Sequence, residues 1–281
     1  MKDITDKDKK NNLKLSSKNN PQHKSNFLIG DCYVGRDLLS IAGPCRVESY
    51  EQVYRIASFL NDLGVKFFRA GAFKPCTFPY ASTGLKEDGL EILKEVKNDL
   101  GMQVITEVMD IRDIKKIEPA TDIFQIGARN MQNYNLLAEV AQLGMPVMLK
   151  RHPGATLRDF LGASEWLLAN GTEKVILCER GVNAFATHDE NARWLTDLTI
   201  IPAVRKYSHL PIIIDPSHAC GISDYVPSIA QAAVAAGADG TIVEVHYDPP
   251  NSVSDPLQAL DYDTYTKLYT NMVKIRNTIK W

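Results

Sequence analysis

Short apolar runs alternate with longer amphipathic stretches along the chain from Phe27 onward. The runs are rich in β-branched residues and apolar at successive positions, which is typical of parallel strands that are buried on both faces. The stretches between them repeat their apolar positions with a helical period. Eight strands are predicted, at residues 38–45, 65–71, 103–108, 123–126, 146–150, 174–178, 211–215 and 240–246. Helices are predicted at residues 49–63, 87–100, 131–143, 156–169, 225–236 and 262–278.

Repeated βα units predict an α/β protein, and eight of them close a (β/α)8 TIM barrel. We expect a single catalytic barrel over residues 26–281. A doubly wound open sheet is the alternative, although it usually has fewer strands. Residues 1–25 are polar, rich in Lys and Asn, and nearly free of large apolar groups. Such a segment buries too little surface to offset its ordering entropy, so a short disordered tail is expected there.

Each predicted strand ends on an ionisable or metal-binding side chain. In strand order these are Cys45, Arg69, Glu107, Arg129, Lys150, Glu179 with Arg180, Asp215 with His218, and Glu244 with His246. The carboxyl ends of the strands form the active-site face of a (β/α)8 barrel. Charged residues also occur wherever a buried strand reaches solvent. That alternative accounts poorly for strand ends so rich in Arg, Lys, His, Cys and Glu.

Two groups of these residues indicate specific chemistry. The cations Arg69, Lys74, Arg129, Lys150 and Arg180 would repel one another in one cavity unless a highly charged anion lay among them. A ligand with both a phosphate and a carboxylate, such as phosphoenolpyruvate, fits such a cluster. Salt bridges with acidic neighbours are the alternative for any one of the five.

The second group combines a thiol, an imidazole and two carboxylates. Its members are Cys45, His218, Glu244 and Asp255. Mixed sulfur, nitrogen and oxygen donors suit Mn, Fe, Co or Zn better than Mg or Ca. Closure of a barrel would bring the first strand beside the last two, although a buried, merely apolar role is the alternative for Cys45.

Composition excludes several classes of protein. The 281 residues carry a formal net charge of −2, so there is no broad basic field for nucleic acid or an acidic membrane. The five cysteines are irregularly spaced and include no CxxC pair, which argues for a reducing compartment. No apolar run reaches the length of a membrane span and no signal-peptide pattern opens the chain. We expect a cytoplasmic enzyme.

Several segments resemble the signature of the 3-deoxy-7-phosphoheptulonate (DAHP) synthases. They are IAGPCRVES at 41–49, FRAGAFKP at 68–75, QIGARNMQN at 125–133, ILCERG at 176–181, IIDPSHACG at 213–221 and EVHYDPPNSVSDPLQAL at 244–260. The sister octulosonate 8-phosphate synthases typically have Asn where Pro75 stands. The resemblance is closest to the short form of the family and implies a transferase, commonly a homodimer or homotetramer, in aromatic amino acid biosynthesis.

The resemblance also implies roles for individual residues. A divalent metal would be bound by Cys45, His218, Glu244 and Asp255. Phosphoenolpyruvate would be held by Arg69, Lys74, Glu107, Ala128, Arg129, Lys150 and Arg180, and Thr77 would contact substrate. The implied reaction joins phosphoenolpyruvate to erythrose 4-phosphate, with Lys74, Cys45 and His218 as catalytic groups and Lys74 as proton donor.

Three departures from the family pattern concern the second substrate. Cys76 stands where the family has an Arg, His152 replaces a Gly, and the family's GIRTFE reads GVNAFA from Gly181. Loss of an Arg removes one charge-assisted contact worth roughly 1.5–3 kcal/mol. The alternatives are therefore the same chemistry on another aldose or aldose phosphate, an unrelated phosphate-binding barrel such as an isomerase, and an inactive barrel with a binding or regulatory role.

Overall fold

The protein is represented by a computed structural model that describes residues 4–75, 80, 83–185 and 189–279. A closed barrel of eight parallel strands forms its centre, in the order β10-β3-β4-β5-β6-β7-β8-β9, with β9 pairing β10. A two-stranded antiparallel hairpin, β1 with β2, precedes it. The strands are β1 Phe27–Ile29, β2 Cys32–Val34, β3 Leu39–Gly43, β4 Phe67–Arg69, β5 Gln103–Val108, β6 Ile123–Ile126, β7 Val147–Lys150, β8 Val175–Glu179, β9 Ile212–Ile214 and β10 Gly240–Glu244.

Each barrel strand is followed by at least one helix, and one further helix precedes the barrel. The helices are α1 Asp6–Asn11, α2 Tyr50–Asp62, α3 Glu87–Leu100, α4 Ile114–Ile117, α5 Tyr134–Ala141, α6 Leu157–Ala169, α7 Ile200–Tyr207, α8 Pro216–Cys220, α9 Val226–Ala235 and α10 Tyr262–Thr278. Among the described residues, every helix is too short or too polar to span a membrane.

The predicted barrel is confirmed. All eight predicted strands are present, with ends within two residues of the prediction, and the six predicted helices each overlap an observed one. The hairpin β1–β2 and the helices α1, α4, α7 and α8 were not predicted. Helices α1, α4 and α8 have only four to six residues, too few positions for a helical period to show.

The core has two layers, as the alternation of strand side chains requires. Residues that point into the barrel form one cluster, which includes Ile41, Ile105 and Ile242. Residues that point outward pack against the helices in a second, larger cluster. Ile29 and Val34 of the hairpin belong to the inner cluster, so the hairpin closes the amino-terminal end of the barrel. The opposite, carboxyl end remains available for a site.

The structure differs from the expectation of a disordered tail over residues 1–25, because the described residues 4–25, which we call the N-terminal strap, pack on the barrel. Helix α1 begins with a capping box at Thr5, and Leu13 is 1% exposed. The Glu165 carboxylate of α6 accepts hydrogen bonds from the backbone nitrogens of Leu15 and Ser16, each at 2.8 Å. Composition does not reveal these contacts, because the partners lie about 150 residues away along the chain.

Candidate active site at the carboxyl end of the barrel

The carboxyl end of the barrel opens into a cavity of about 750 Å³. The cavity is lined by side chains from the strand ends and the loops that follow them. They include Cys45, Arg46, Arg69, Lys74, Glu107, Gln125, Arg129, Lys150, His152, Arg180, Arg193, Trp194, His218 and Asp255. This volume suits a small, highly charged ligand together with a second substrate.

Four potential metal donors meet on one side of this cavity. One ligand atom each from Cys45, His218, Glu244 and Asp255 lies within 4.8 Å of all the others. Cys45 Sγ is 3.0 Å from Asp255 Oδ2, and His218 Nε2 is 3.3 Å from Glu244 Oε1. The four residues predicted as ligands are thus brought together, although they come from distant parts of the chain.

The local structure explains how each donor reaches this position. Gly43 ends β3 at φ 149°, where a Cβ would overlap the carbonyl oxygen of Arg69, so the chain can turn closely toward Cys45. His218 lies in α8, whose N-cap Asp215 accepts from its backbone nitrogen at 3.0 Å. Asp255 has φ 53°, a conformation that costs a non-glycine residue energy and that clusters at functional sites.

The protonation states of the donors fit a metal site. Burial lowers the pKa of His218, which favours the neutral imidazole that binds metals. Burial opposes the charge of Glu244, but His218 and Arg69 outweigh it and lower its pKa to about 2. Burial, with Glu244 nearby, raises the pKa of the Cys45 thiol well above its ordinary value, so the thiol must lose a proton to become a ligand.

Three of the five predicted substrate cations also hold carboxylates of the site. Arg69 Nη1 is 2.6 Å from Glu244 Oε1, and Lys150 Nζ is 2.6 Å from Asp215 Oδ2. Lys74 Nζ is 3.5 Å from the Asp255 carboxylate and donates to Cys45 Sγ. The salt-bridge alternative is therefore correct in part for these three residues.

The other two cations line the cavity without such a carboxylate partner. Within the described ranges, neither Arg129 nor Arg180 lies within salt-bridge distance of an acidic group. The Arg180 guanidinium lies over the Trp194 ring, 5.3 Å from its centroid, and burial lowers the pKa of Arg180. Two guanidinium groups that face the same cavity repel each other and favour the binding of an anion there.

Glu107 faces the same cavity from the end of β5. Its Oε2 accepts from Gln125 Nε2 at 3.1 Å, and a Cβ at Gly127 would overlap its Oε1. A side chain at Gly127 would therefore displace the Glu107 carboxylate from this position. Ala128 follows at the start of a single 3₁₀ turn, where a backbone N–H has no partner within the turn.

Comparison with known proteins connects this geometry to a family. The sequence model of the DAHP synthetase I family matches residues 13–280. The chain belongs to the DAHP synthetase I family. A phospho-2-dehydro-3-deoxyheptonate aldolase from Thermotoga maritima is 43% identical over 252 residues, which are 89% of this chain and 74% of that protein. A 2-dehydro-3-deoxyphosphooctonate aldolase from Desulfotalea psychrophila is 29% identical over 276 residues, 91% of this chain and 95% of that protein.

Solved structures agree with this assignment. The crystal structure of the Thermotoga maritima DAHP synthase superposes with a TM-score of 0.88 at 41% identity, covering 94% of this chain and 76% of that one. A truncated form of the same organism's synthase gives a TM-score of 0.87 at 39% identity, covering 95% of this chain and 97% of that one. This DAHP synthetase I family member is therefore a transferase of the DAHP synthase type, and its membership supports a phosphoenolpyruvate-dependent aldol condensation that forms DAHP.

Some strand-end residues of this family member do not face the cavity. Glu179 is buried and pairs with Arg151 at 2.8 Å, which also reaches Asp197 at 2.9 Å. His246 is buried against Tyr247 and accepts from the backbone nitrogen of Asp248. These groups support the loops around the site. Cys76 and Thr77 lie outside the described residues.

Sequence reasoning missed Arg193, Trp194 and Gln258. Arg193 and Trp194 lie in the long loop between β8 and α7, where no strand end marks them. Gln258 is 1% exposed and donates to Glu244 Oε2 at 2.7 Å. A buried Gln beside a ligand has no sequence signal of its own. The replacement residue His152 does line the cavity.

Proposed function

We propose that the chain catalyses the metal-dependent condensation of phosphoenolpyruvate with erythrose 4-phosphate, giving 3-deoxy-D-arabino-heptulosonate 7-phosphate and phosphate. The observation that carries this proposal is that a four-donor cluster and a cation cluster share one cavity. The two clusters meet at Arg69, which pairs with Glu244. An unrelated phosphate-binding barrel would have no use for the donor set, and an inactive barrel would have no use for either.

The cations supply a binding site for phosphoenolpyruvate. In the proposal, Arg129 and Arg180 bind its phosphate with their planar forks, since neither is paired with a carboxylate among the described residues. Lys150 and Arg69 face the remaining negative charge, each already oriented by an acidic partner. The backbone N–H of Ala128 adds a neutral donor. Glu107 would lie near the enolpyruvyl end.

The donors Cys45, His218, Glu244 and Asp255 would hold a divalent ion such as Mn, Fe, Co or Zn. Such an ion, when bound, polarises an aldehyde carbonyl as a Lewis acid. The donor chemistry fits, because one thiol, one imidazole and two carboxylates provide soft and hard ligands together. Asp215 Oδ2 lies 2.9 Å from His218 Nδ1 and so orients the imidazole, whose Nε2 is left directed at the donor cluster.

The reaction makes one carbon–carbon bond, forms one carbon–oxygen bond with water at C2 and breaks the carbon–oxygen bond to phosphate. C3 of phosphoenolpyruvate attacks the aldehyde carbon, the aldehyde oxygen takes a proton, and water adds at C2. Lys74 is the proposed donor to that oxygen, since Cys45, Glu244 and Asp255 raise its pKa despite its burial and keep it protonated. Glu107 is the proposed acceptor of the proton from water. The hemiketal phosphate at C2 then loses phosphate, leaving a ketone.

A second candidate keeps this chemistry but changes the aldehyde. Its basis is that the sequence departs from the family pattern at Cys76, at His152 and over residues 182–186, while the proposed metal donors and substrate cations are retained. Erythrose 4-phosphate remains the primary proposal, because the heptonate aldolase relative is 43% identical and the octonate aldolase relative 29%.

The test is consumption of phosphoenolpyruvate, followed by its absorbance, with Mn²⁺-loaded protein. Erythrose 4-phosphate, arabinose 5-phosphate and unphosphorylated aldoses are offered in turn. The proposal predicts rapid consumption with erythrose 4-phosphate. Consumption only with another aldehyde would overturn erythrose 4-phosphate as the acceptor. No consumption with any aldehyde would favour a binding protein.

A further inference from the structure

We infer that Arg193 is a positioning residue for the metal site, acting on two of its ligands at once. This inference rests on the proposed metal site and adds a residue that contributes no ligand atom. Arg193 Nη2 lies 2.5 Å from Asp255 Oδ1, and its Nη1 lies 2.9 Å from Gln258 Oε1. The two nitrogens of one planar fork therefore hold two side chains of the loop after β10.

The contact with Asp255 fixes which carboxylate oxygen faces the donor cluster. Oδ1 is occupied by Arg193, and the other oxygen, Oδ2, lies 3.0 Å from Cys45 Sγ and 3.5 Å from Lys74 Nζ. Without Arg193 the carboxylate could rotate or take both oxygens toward Lys74. The backbone at Asp255 adopts a strained φ of 53°, so the surrounding contacts have to hold it in place.

The contact with Gln258 extends to a second ligand. Gln258 Nε2 donates to Glu244 Oε2 at 2.7 Å, while its Oε1 accepts from Arg193. An arginine only donates and a carboxylate only accepts, so the two partners together set the orientation of the amide. Glu244 uses its other oxygen for Arg69 and His218. Arg193 thus orients Glu244 through one intervening side chain.

The backbone around Arg193 is tied to the element that carries a third ligand. The nitrogens of Arg193 and Trp194 donate to the carbonyl oxygens of Cys220 and Ala219, at 3.3 and 3.0 Å. Both acceptors belong to α8, which also contains His218. The loop between β8 and α7 is therefore connected to three of the four proposed ligands, and Arg193 is the side chain through which it reaches two of them.

A plain surface ion pair is the alternative role for Arg193, whose side chain is 41% exposed. Such pairs contribute little to stability. The two roles differ in what they affect. A surface pair would leave metal affinity unchanged, whereas groups that orient ligands typically change it about 10-fold to 100-fold when removed.

The experiment uses the full chain, stripped of metal with a chelator and titrated with Co²⁺ in competition with a chelator of known affinity. The absorption bands of Co²⁺, including the thiolate-to-cobalt charge-transfer band, are recorded at saturation. Arg193→Gln is compared with Arg193→Lys, which keeps the charge but loses the fork, and with Arg112→Gln, a matched loss of an exposed arginine paired with an aspartate. Thermal unfolding of the metal-free proteins monitors the fold.

We expect Arg193→Gln to weaken Co²⁺ binding about 10-fold to 100-fold and to alter the bands, with little change in thermal unfolding. Arg193→Lys should restore only part of the affinity, and Arg112→Gln should match the wild type. Unchanged affinity and bands in Arg193→Gln, with a wild type that binds Co²⁺, would overturn the role of Arg193 alone. A wild type that does not bind Co²⁺ would overturn the proposed metal site and the inference with it.

Discussion

Arg69 and Glu244 form a buried ion pair, with Nη1 and Oε1 separated by 2.6 Å. The guanidinium belongs to the proposed phosphoenolpyruvate site and the carboxylate to the proposed metal site. Their side chains are 5% and 0% exposed, so each charge is largely shielded from solvent and depends on the other. The two halves of the site are therefore electrostatically dependent on each other.

This dependence predicts the effect of Glu244→Gln on stability. The variant leaves the Arg69 charge buried without its partner, and we expect the free energy of unfolding to fall by about 3–5 kcal/mol. Urea unfolding of metal-free protein measures it. Adding Arg69→Met to the same variant removes the orphaned charge and should recover at least half of the loss. A loss below about 1 kcal/mol in the single variant would show that the pair is not held as the structure has it.

Arg129 is predicted to act on phosphoenolpyruvate affinity rather than on the fold. Arg129→Gln removes a fork that has no acidic partner among the described residues, so the loss of one charge-assisted contact should raise the KM for phosphoenolpyruvate about tenfold to hundredfold. The KM for the aldehyde should change much less. Steady-state kinetics with each substrate varied in turn distinguishes the two. Arg112→Gln, an exposed arginine elsewhere, is the control and should leave both constants unchanged.

The N-terminal strap is predicted to loosen in mild acid. His209 Nε2 donates to the Leu15 carbonyl oxygen and its Nδ1 shares a hydrogen bond with Ser25 Oγ, both at 2.6 Å, and the ring stacks on His23. Burial lowers the pKa of His209 below 6.5. The hydrogen bond to the Leu15 carbonyl raises this pKa, and the charges of Lys18 and Glu165 have smaller effects on it. A released, solvated His209 binds protons more readily, so the docked state loses stability as the pH falls below about 6.5.

Amide hydrogen exchange across residues 13–25 at pH 7.5 and 5.5, corrected for intrinsic rates, measures this loosening. Faster corrected exchange is expected at the lower pH. In a His209→Gln variant the difference between the two pH values should disappear. Equal protection at both pH values in the wild type would contradict the prediction.

Cys76 decides between the two proposed acceptors. If erythrose 4-phosphate is the natural acceptor, the other groups of the site already bind it well. Cys76→Arg should then change kcat/KM for that sugar by less than about tenfold, the smallest value expected for a missing charge-assisted contact. A gain of tenfold or more would indicate that the native loop serves a different aldehyde. Cys76→Ser controls for loss of the thiol.

The barrel and most of its site follow from local sequence because each βα unit carries its own pattern. Strands such as β7 can be recognised in the sequence from their continuous apolar runs. Barrel topology alone then places Cys45, His218 and Glu244 at one end. The approach of these donors to 4.8 Å, however, depends on loop geometry such as the positive φ of Asp255. No spacing rule in the sequence predicts that geometry.

The features that sequence reasoning missed depend on distant partners. The strap is held by Glu165 and His209 of the barrel, which a composition argument about the tail does not consider. Arg193 becomes significant only through contacts with Asp255 and Gln258, 62 and 65 residues away. Contacts of this kind follow from the closed barrel, which brings the loops after β8 and β10 together.

The most direct test of the account is to identify the product and its dependence on metal. Chelator-stripped protein is given phosphoenolpyruvate and erythrose 4-phosphate before and after Mn²⁺ is restored, with Cys45→Ala as the ligand variant and Cys32→Ala, in the hairpin, as the matched control. We predict equal amounts of a seven-carbon 3-deoxy-2-keto acid phosphate and inorganic phosphate, formed only with metal and only by the wild type and Cys32→Ala. Full activity in stripped protein or in Cys45→Ala would contradict the metal-dependent reaction.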